Sequence, residues 1–486
     1  MNELTEISAE NPVSGADALL RAIIAEGVDT VFGYPGGQIL PVYDALYDYT
    51  DSLRHILVRH EQGAIHAAEG YARATGRVGV VIVTSGPGAA NVITGLSDAM
   101  MDSTPLVVIT GQVGAQYLGS DAFQETDVIG ITQPITKWSL QVRHAEDINN
   151  AVARAFFIAR SGRPGPVVLD IARDAQIGQV QTPYSKISYI RSYNPNPRID
   201  EECLHSAAKL INKAERPLIL AGQGVTISGA EKALCDLAEK ASIPVASTLL
   251  GLSAMPSGHT LYKGMLGMHG NIGPNYNTNR ADLIIGIGMR FDDRVTGVAS
   301  KYAPDAKIVH IDIDSSEFDK VVASTVAVHG DAARVLEGLI PLIEPASDRH
   351  EWLASFEACR DVEVREVYSR ELHREGDEPM TMGEVVAAVS AATGHDAIAV
   401  TDVGQNQMMS ARYFQFKNPR SFISSGGLGT MGFGLPAAIG AKIGRTDRTV
   451  VCFVGDGGFQ MTVQELGTIM EYGIAVKIVI MNNNFL

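Results

Sequence analysis

Two short stretches near the end of the chain carry residue types suited to a cation and an anion together. One is Gly455-Asp456-Gly457-Gly458, and the other is Asn482-Asn483-Asn484. VVCFVGD is a β-branched and aromatic run, TVQELGTIMEYG spaces its apolar residues near 3.6, and VKIVIM is again a strand pattern. A strand, helix, strand unit sets two parallel strands side by side. The acidic turn after the first then lies beside the amide-rich turn after the second, at the carboxyl edge where open α/β sheets bind ligands. Twenty-four residues separate Gly457 from Asn482, enough for one helix and one strand. A carboxylate and an amide oxygen meeting there suit a hard divalent cation such as magnesium, which keeps oxygen ligands from water or phosphate. Taken singly, Asp456 reads as a helix cap and the asparagines as a turn. The pair at this spacing favours the metal.

Other stretches carry side chains of chemical interest. LVRHEQGAIHAAEGYARATG sets Glu61 at a strand end or helix start. Its His and Glu residues do not form H-E-x-x-H, because His66 falls six residues after His60, so zinc is not implied. By itself Glu61 reads as a first-turn acid stabilised by the helix dipole. GYPGGQILPVYDAL and VTSGPGAANVITGLSDA are glycine-rich turns entering helices, and neither is a GxGxxG fingerprint, Asn91 standing where the last glycine of the second would be. Their glycines permit close approach to a ligand or simply a tight turn. GSDAFQETD places Phe123 and Gln124, one apolar and one hydrogen-bonding side chain, in a loop. Farther on, Asp312 ends the strand VHIDID where an acid can hold an adenosine ribose, and Arg290 follows a glycine-rich strand end where its fork of donors could meet a phosphate. The plainer alternative there is a surface ion-pair group among Arg290, Asp292, Asp293 and Arg294, which would contribute little.

The elements that must position these residues fall into three blocks. The 486 residues give a prior of about three domains. Up to residue 175 buried strands (VGVVIVTSG, PLVVITGQ, GPVVLDIA) alternate with helical patterns, as in a helix-covered parallel sheet. A Pro-, Asn- and Ser-rich linker follows, then a second block with RPLILAGQGV, IPVAST, ADLIIGIGMRF and AKIVHIDID as strands. A charged stretch from Ser347 to Pro379 reads as a surface helix bridging domains, and a third block opens at TMGEVVAAVSAATG. The expected fold is α/β, three doubly wound parallel-sheet domains at 12–175, 198–343 and 379–486, the last incomplete. A net charge of −16 without a basic run argues against nucleic acid or an anionic membrane surface as partner. Four scattered cysteines with no CxxC exclude a disulfide framework or a zinc site. The acidic, polar start MNELTEISAENP is unlike a signal or transit peptide, and no apolar run approaches the ~18 residues of a membrane span, which points to the cytoplasm.

GDG followed by NN resembles the diphosphate and magnesium motif of thiamine diphosphate enzymes. With GYPGG, RHEQGA, SGPG, FQETD, GRPGP, GMHG, RFDDRVTG and GGLGTMG in this order, essentially the whole chain resembles the acetolactate synthase (acetohydroxyacid synthase) catalytic-subunit family. The resemblance implies a pyrimidine-binding domain, a central FAD-binding domain and a diphosphate-binding domain. By matching motif positions, Glu61 would donate a hydrogen bond to N1′ of the aminopyrimidine, and Met431 would support that ring. Gly37, Phe123 and Gln124 would face the reacting carbon or substrate. Asp456, Asn483 and a backbone carbonyl near Phe485 would bind magnesium, flanked by Gly455 and Gly457 at the diphosphate. Arg163, Gly222, Gly224, Met268, His269, Arg290, Asp292 and Asp312 would hold FAD, in a structural role because the net reaction transfers no electrons.

The implied chemistry is decarboxylation of pyruvate on the thiazolium carbon, then transfer of the two-carbon carbanion to pyruvate or 2-oxobutyrate, toward branched-chain amino acids. The family also implies a homodimer or homotetramer, in which Glu61 and Asp456 of different subunits serve one cofactor, and a small regulatory subunit. Arg173 stands where the family usually has lysine, and Asn406 and Met409 where His and Trp are common. Family members continue past NNNFL, so the expectation is a fragment with an exposed apolar sheet edge, weak activity and poor solubility.

Overall fold

A computed structural model of the chain describes residues 7–346, 349–373, 376 and 379–483. Three parallel sheets organise it. The first has six strands in the order Arg54–Leu57, Thr30–Gly33, Gly79–Val83, Leu106–Gln112, Pro166–Ala172, Trp138–Val142. The second runs Tyr262–Met265, Val245–Ser247, Pro217–Ala221, Leu283–Ile287, Lys307–Asp312, Val326–His329. The third has four strands, Phe422–Ile423, Ile398–Thr401, Val450–Gly455 and Val476–Met481. Helices cover these sheets, which is why their central strands read as unbroken apolar runs: Gly79–Val83, Leu106–Gln112 and Pro217–Ala221 are buried at every position. The α/β expectation therefore holds.

Five strands of the first two sheets carry no such signal in the sequence, and four of them are the sheet edges: Arg54–Leu57, Trp138–Val142, Tyr262–Met265 and Val326–His329. Each is mostly half-buried and so mixes polar with apolar residues. The fifth, Thr30–Gly33, is interior but only four residues long.

The charged stretch expected to be a surface helix is only partly one. Helix His350–Glu363 buries Trp352 and Phe356, and Trp352 Nε1 donates to the Pro217 carbonyl at 2.7 Å. Its last residue does bridge domains, since Glu363 accepts from Asn271 at 3.1 Å and is ion-paired with Arg412. Three buried aromatic and charged positions therefore dock a helix whose composition reads as solvated.

The first and third sheets are joined through two helices. Helix Glu61–Thr75 starts at His60, whose ring accepts from the Gln62 N–H, and stops at Gly76 with φ 76°. It crosses helix Gly434–Gly444 with backbones touching: an added Cβ on Gly70 would lie 1.9 Å from the Ala437 carbonyl oxygen, and one on Gly440 1.7 Å from that of Ala67. Beside this crossing lies a buried polar junction. Arg73 pairs with Asp102 at 3.2 Å and donates to the Ser424 carbonyl at 2.6 Å, and Asp102 accepts the N–H groups of Gly426 and Gly427 at 2.8 and 2.7 Å. Ser425 donates to Asp98 at 2.9 Å. The loop 424–430 is thereby fixed to the first domain by charge-assisted hydrogen bonds.

Candidate active site

At the carboxyl edge of the third sheet, Gly455 pairs with Met481 in parallel register. Asp456 and Asn482 are the next residues on these adjacent strands, the juxtaposition that the spacing predicts. Asp456 is the first residue of the short helix Asp456–Met461, followed by Gly457. Asn483 donates its amide to Gln405 Oε1 at 3.1 Å. A carboxylate and asparagine oxygens are hard donors, and a helix N-terminus opens there, so the set fits a magnesium diphosphate. Phe485 lies outside the described residues.

Met431 sits at the tip of a neighbouring turn and is 36% exposed. The turn is built on Asp402, a carboxylate 1% exposed that accepts the N–H groups of Val403 at 3.0 Å, Gly432 at 3.1 Å and Gly434 at 2.9 Å. Gly432 has φ 92°, a conformation that favours glycine. Gly458 approaches the same carboxylate so closely that a Cβ would fall 2.7 Å from its Oδ1. Asp402 thus ties the Met431 turn to the Gly-Asp-Gly helix, a link that sequence reading missed.

In the first domain Glu61 heads its helix, partly buried, with Oε2 accepting from Asn91 Nδ2 at 2.9 Å. Gly88 of the SGPG turn lies alongside, its added Cβ 3.3 Å from Glu61 Oε1. Ser85 of that turn is fully buried with its hydroxyl unpartnered among the described residues. Gly86, at φ 57°, packs against Gln124, where a Cβ would meet the Gln124 backbone at 2.9 Å. Gln124 itself holds φ 62°, and Phe123 is 86% exposed. Gly37 opens a short 3-10 turn with nothing within 4 Å of an added Cβ. Gly86 thus brings the SGPG turn against Gln124, beside Glu61, whereas Phe123 points to solvent in the single chain.

The third cluster surrounds a cavity of about 490 Å³. Its wall takes in Arg163, Gly224, Met268, His269, Arg290, Asp292 and Asp312. Gly222 lies just behind, where a Cβ would meet the Gly288 carbonyl oxygen at 2.2 Å, and one on Gly224 would meet the Gly288 Cα at 2.6 Å. Two strand-end turns therefore close on each other only because these positions are glycine. Arg163 is held by Ser103 at 2.9 Å, Asp314 at 3.1 Å and Glu317 at 2.9 Å. Asp312 accepts from the Asp314 N–H at 2.8 Å, and burial pushes its carboxyl up to about 6. Both ring nitrogens of His269 are buried and unpartnered among the described residues. Asp292 caps its own helix, accepting from Arg294 and Val295 at 3.1 Å, and stands 4.0 Å from Arg290, while Asp293 stands 3.7 Å from Arg294, so the ion-pair alternative is present as two loose contacts. A large cavity edged by the Arg290 guanidinium and the Asp312 carboxyl, with apolar wall from Leu266 and Met268, fits a dinucleotide such as FAD.

Among the described residues no helix is long and apolar enough to cross a membrane. Three family descriptions match the chain: the N-terminal TPP binding domain of thiamine pyrophosphate enzymes over 13–131, their central domain over 204–339, and their C-terminal TPP binding domain over 402–486. The chain is 44% identical to the acetolactate synthase large subunit of Lactococcus lactis, over 99% of this chain and 83% of that protein. It is 43% identical to the acetolactate synthase isozyme 3 large subunit of Escherichia coli, over 98% and 83% respectively. The probable acetolactate synthase large subunit of Methanocaldococcus jannaschii is 46% identical over 98% and 81%.

Proposed function

The chain belongs to the acetolactate synthase large-subunit family, and we propose that it decarboxylates pyruvate and ligates the two-carbon unit to a second 2-oxo acid. The product is 2-acetolactate with pyruvate as acceptor and 2-aceto-2-hydroxybutyrate with 2-oxobutyrate, both precursors of branched-chain amino acids. The observation that carries this reading is the register of Gly455 with Met481, which sets Asp456 beside Asn482 in a chain whose other thiamine domain offers Glu61 at a helix start.

Thiamine diphosphate, when bound, supplies the electron sink for loss of carbon dioxide and for the new carbon–carbon bond. The protein's part is to bind, orient and hold a proton. Asp456 and Asn483 hold magnesium on the diphosphate, with Gly455 and Gly457 letting backbone come close. Met431 supports the aminopyrimidine, and its turn is rigid because Asp402 holds it by three N–H groups. Glu61 holds the proton shared with the ring nitrogen, its Oε2 anchored by Asn91 so that Oε1 is directed. Gly37, Phe123 and Gln124 border the substrate.

FAD would lie in the 490 Å³ cavity on Arg163, Gly224, Met268, His269, Arg290, Asp292 and Asp312, with Gly222 just behind the wall, and would serve as a structural group. Glu61 and Asp456 of different subunits complete one site in a homodimer or larger assembly. The exposure of Phe123 supports such an arrangement, since a second subunit would cover it. The domains divide at 12–175, 198–343 and 379–486, the protein is cytoplasmic, and a small regulatory subunit is its partner.

The test is product identity after incubation with pyruvate, thiamine diphosphate, magnesium and FAD. Acetolactate supports the proposal, whereas acetate or acetaldehyde would move the chain to an oxidase or decarboxylase reading.

A further inference from the structure

Strand Arg54–Leu57 leads through His60 into the helix that Glu61 heads, and this stretch is seated on the third domain. The Leu57 N–H donates to the Tyr472 hydroxyl at 2.8 Å. The Arg59 guanidinium donates to the Gly467 carbonyl at 3.4 Å and pairs with Glu471. These partners lie on helix Leu466–Tyr472, shortly after the Gly-Asp-Gly helix Asp456–Met461.

Between the two helices packs Glu465, a residue with no exposed surface. Its Oε1 accepts the Arg59 N–H at 3.0 Å, and its Oε2 accepts the Thr468 hydroxyl at 2.8 Å. The His60 N–H adds a further hydrogen bond to the same carboxyl group. On the other side of Glu61, an added Cβ on Gly63 would lie 2.4 Å from Glu465 Oε1. One carboxyl group therefore touches the backbone two residues before Glu61 and two residues after it. A carboxyl buried this deeply is unfavourable unless its oxygens are hydrogen-bonded, and here the bonds go to the backbone on which Glu61 stands. Burial pushes the Glu465 carboxyl up, while the Thr468 hydroxyl and the two N–H groups hold it back.

Asn91 aims the Glu61 side chain through Oε2, but that aim starts from wherever the backbone is placed. The crossing at Gly70 lies more than two helical turns farther along, so it does not fix the head of the helix. Glu465 does, and its contact at Gly63 is open only to a residue without a Cβ. A helix head shifted by about 1 Å would carry the Glu61 carboxyl with it, and a misplacement of that size costs about 100-fold in rate.

We propose that Glu465 is a positioning residue for Glu61: through the Arg59 N–H and the gap at Gly63 it fixes the head of the helix, and with it the place of the Glu61 carboxyl against the aminopyrimidine of thiamine diphosphate. This rests on the reading of Glu61 as the group that holds the ring-nitrogen proton. The third domain then has two separate parts in the chemistry, magnesium and diphosphate through Asp456 and Asn483, and proton placement through Glu465.

The test uses the full chain loaded with FAD, magnesium and thiamine diphosphate. Acid quench and proton NMR read the rate at which deuterium replaces the hydrogen on the cofactor's C2, and calorimetry reads the dissociation constant for thiamine diphosphate. Glu61→Gln is the reference and should slow the replacement about 100-fold. Glu465→Ala leaves the Arg59 N–H without its acceptor and should slow it about tenfold at unchanged cofactor affinity, a split that a merely structural role would not give. Gly63→Ala displaces the carboxyl from the opposite side; alanine favours a helix, so a loss there comes from the displaced contact, and this variant carries the test if Glu465→Ala does not fold. Glu465→Gln keeps an acceptor of the same reach and should hold the rate within about threefold of the unaltered chain. In thiamine-free protein, hydrogen-exchange mass spectrometry should find the Arg59 amide less protected in Glu465→Ala than in Glu465→Gln. If Glu61→Gln slows the replacement but Glu465→Ala and Gly63→Ala do not, or if their loss only follows weaker cofactor binding, the proposal is overturned while the reading of Glu61 stands. If Glu61→Gln is also without effect, that reading falls and the proposal falls with it.

Discussion

Asn91 Nδ2 donates to Glu61 Oε2 at 2.9 Å, joining the head of one helix to the end of a glycine-rich turn 30 residues away. The bond leaves a single carboxyl oxygen of Glu61 to meet a ligand and sets its direction. Removing the anchor frees the side chain to rotate, and a misaimed acid loses catalytic efficiency steeply. Asn91→Ala is expected to lower kcat/KM about tenfold, in line with about 1.5 kcal/mol for a hydrogen bond to a charged group. Glu61→Gln should cost about 100-fold or more. Initial rates of acetolactate formation check both, and equal losses in the two variants would remove the distinction between aiming and proton transfer.

Asp402 holds a different part of the site. Its buried carboxylate satisfies three backbone N–H groups, on Val403, Gly432 and Gly434. Asp402→Ala leaves all three without an acceptor, at about 1–3 kcal/mol for each buried group. The expected outcome is a fall in stability of several kcal/mol together with at least tenfold weaker activation by thiamine diphosphate. Denaturant unfolding reads the first and a cofactor titration the second; an unchanged activation constant would confine Asp402 to the fold.

The helix crossing sets a steric condition. Gly440 has no room for a methyl group, since its Cβ would lie 1.7 Å from a carbonyl oxygen of the facing helix. Gly440→Ala should force the helices apart, at about 1–3 kcal/mol or more for overpacking. Gly473, at a helix end with open space around it but φ 61°, is the contrast: Gly473→Ala carries only the conformational penalty of a left-handed residue, about 1 kcal/mol. Chemical denaturation of the two variants should rank them in that order.

Much of this was legible in advance, for reasons that also explain what was not. The Asp456 and Asn482 pair could be read because both lie within one strand, helix, strand unit, where spacing alone dictates adjacency. The cavity beside Gly222 and Gly224 was reached only through the family resemblance, although the close approach of both residues to Gly288 is one that glycine alone permits. Asn91 signalled nothing beyond a broken glycine pattern, since its partner comes from another element. Asp402 gave no signal in the sequence because its three partners are backbone groups, which have no sequence signature. The junction of Arg73, Asp98 and Asp102 with loop 424–430 joins positions more than 300 residues apart, and only the packing of two domains brings them together.

That junction also predicts how stability depends on pH. Asp98 is pushed up to about 8, by burial first and then by Glu69 and Asp102. Glu69 is itself well above the ordinary carboxylate range through burial. In the folded chain Asp98 therefore keeps a proton that the unfolded chain releases near 4. Folded protein binds more protons across that window, so this group's contribution is present in acid and is lost as pH rises toward 8. His66, pulled down to about 4 by burial, acts in the opposite sense, costing stability as pH falls below about 6.5. The two effects oppose each other between about 4 and 6.5, and above that the His66 effect is spent. The junction's own contribution to stability is accordingly expected to fall between about pH 6.5 and 8. Asp98→Asn, which mimics the protonated acid and can still meet the Ser425 hydroxyl, should flatten that fall. Denaturant midpoints measured across this range decide it, and a slope equal to that of the unaltered chain would mean that Asp98 is ionised in the fold.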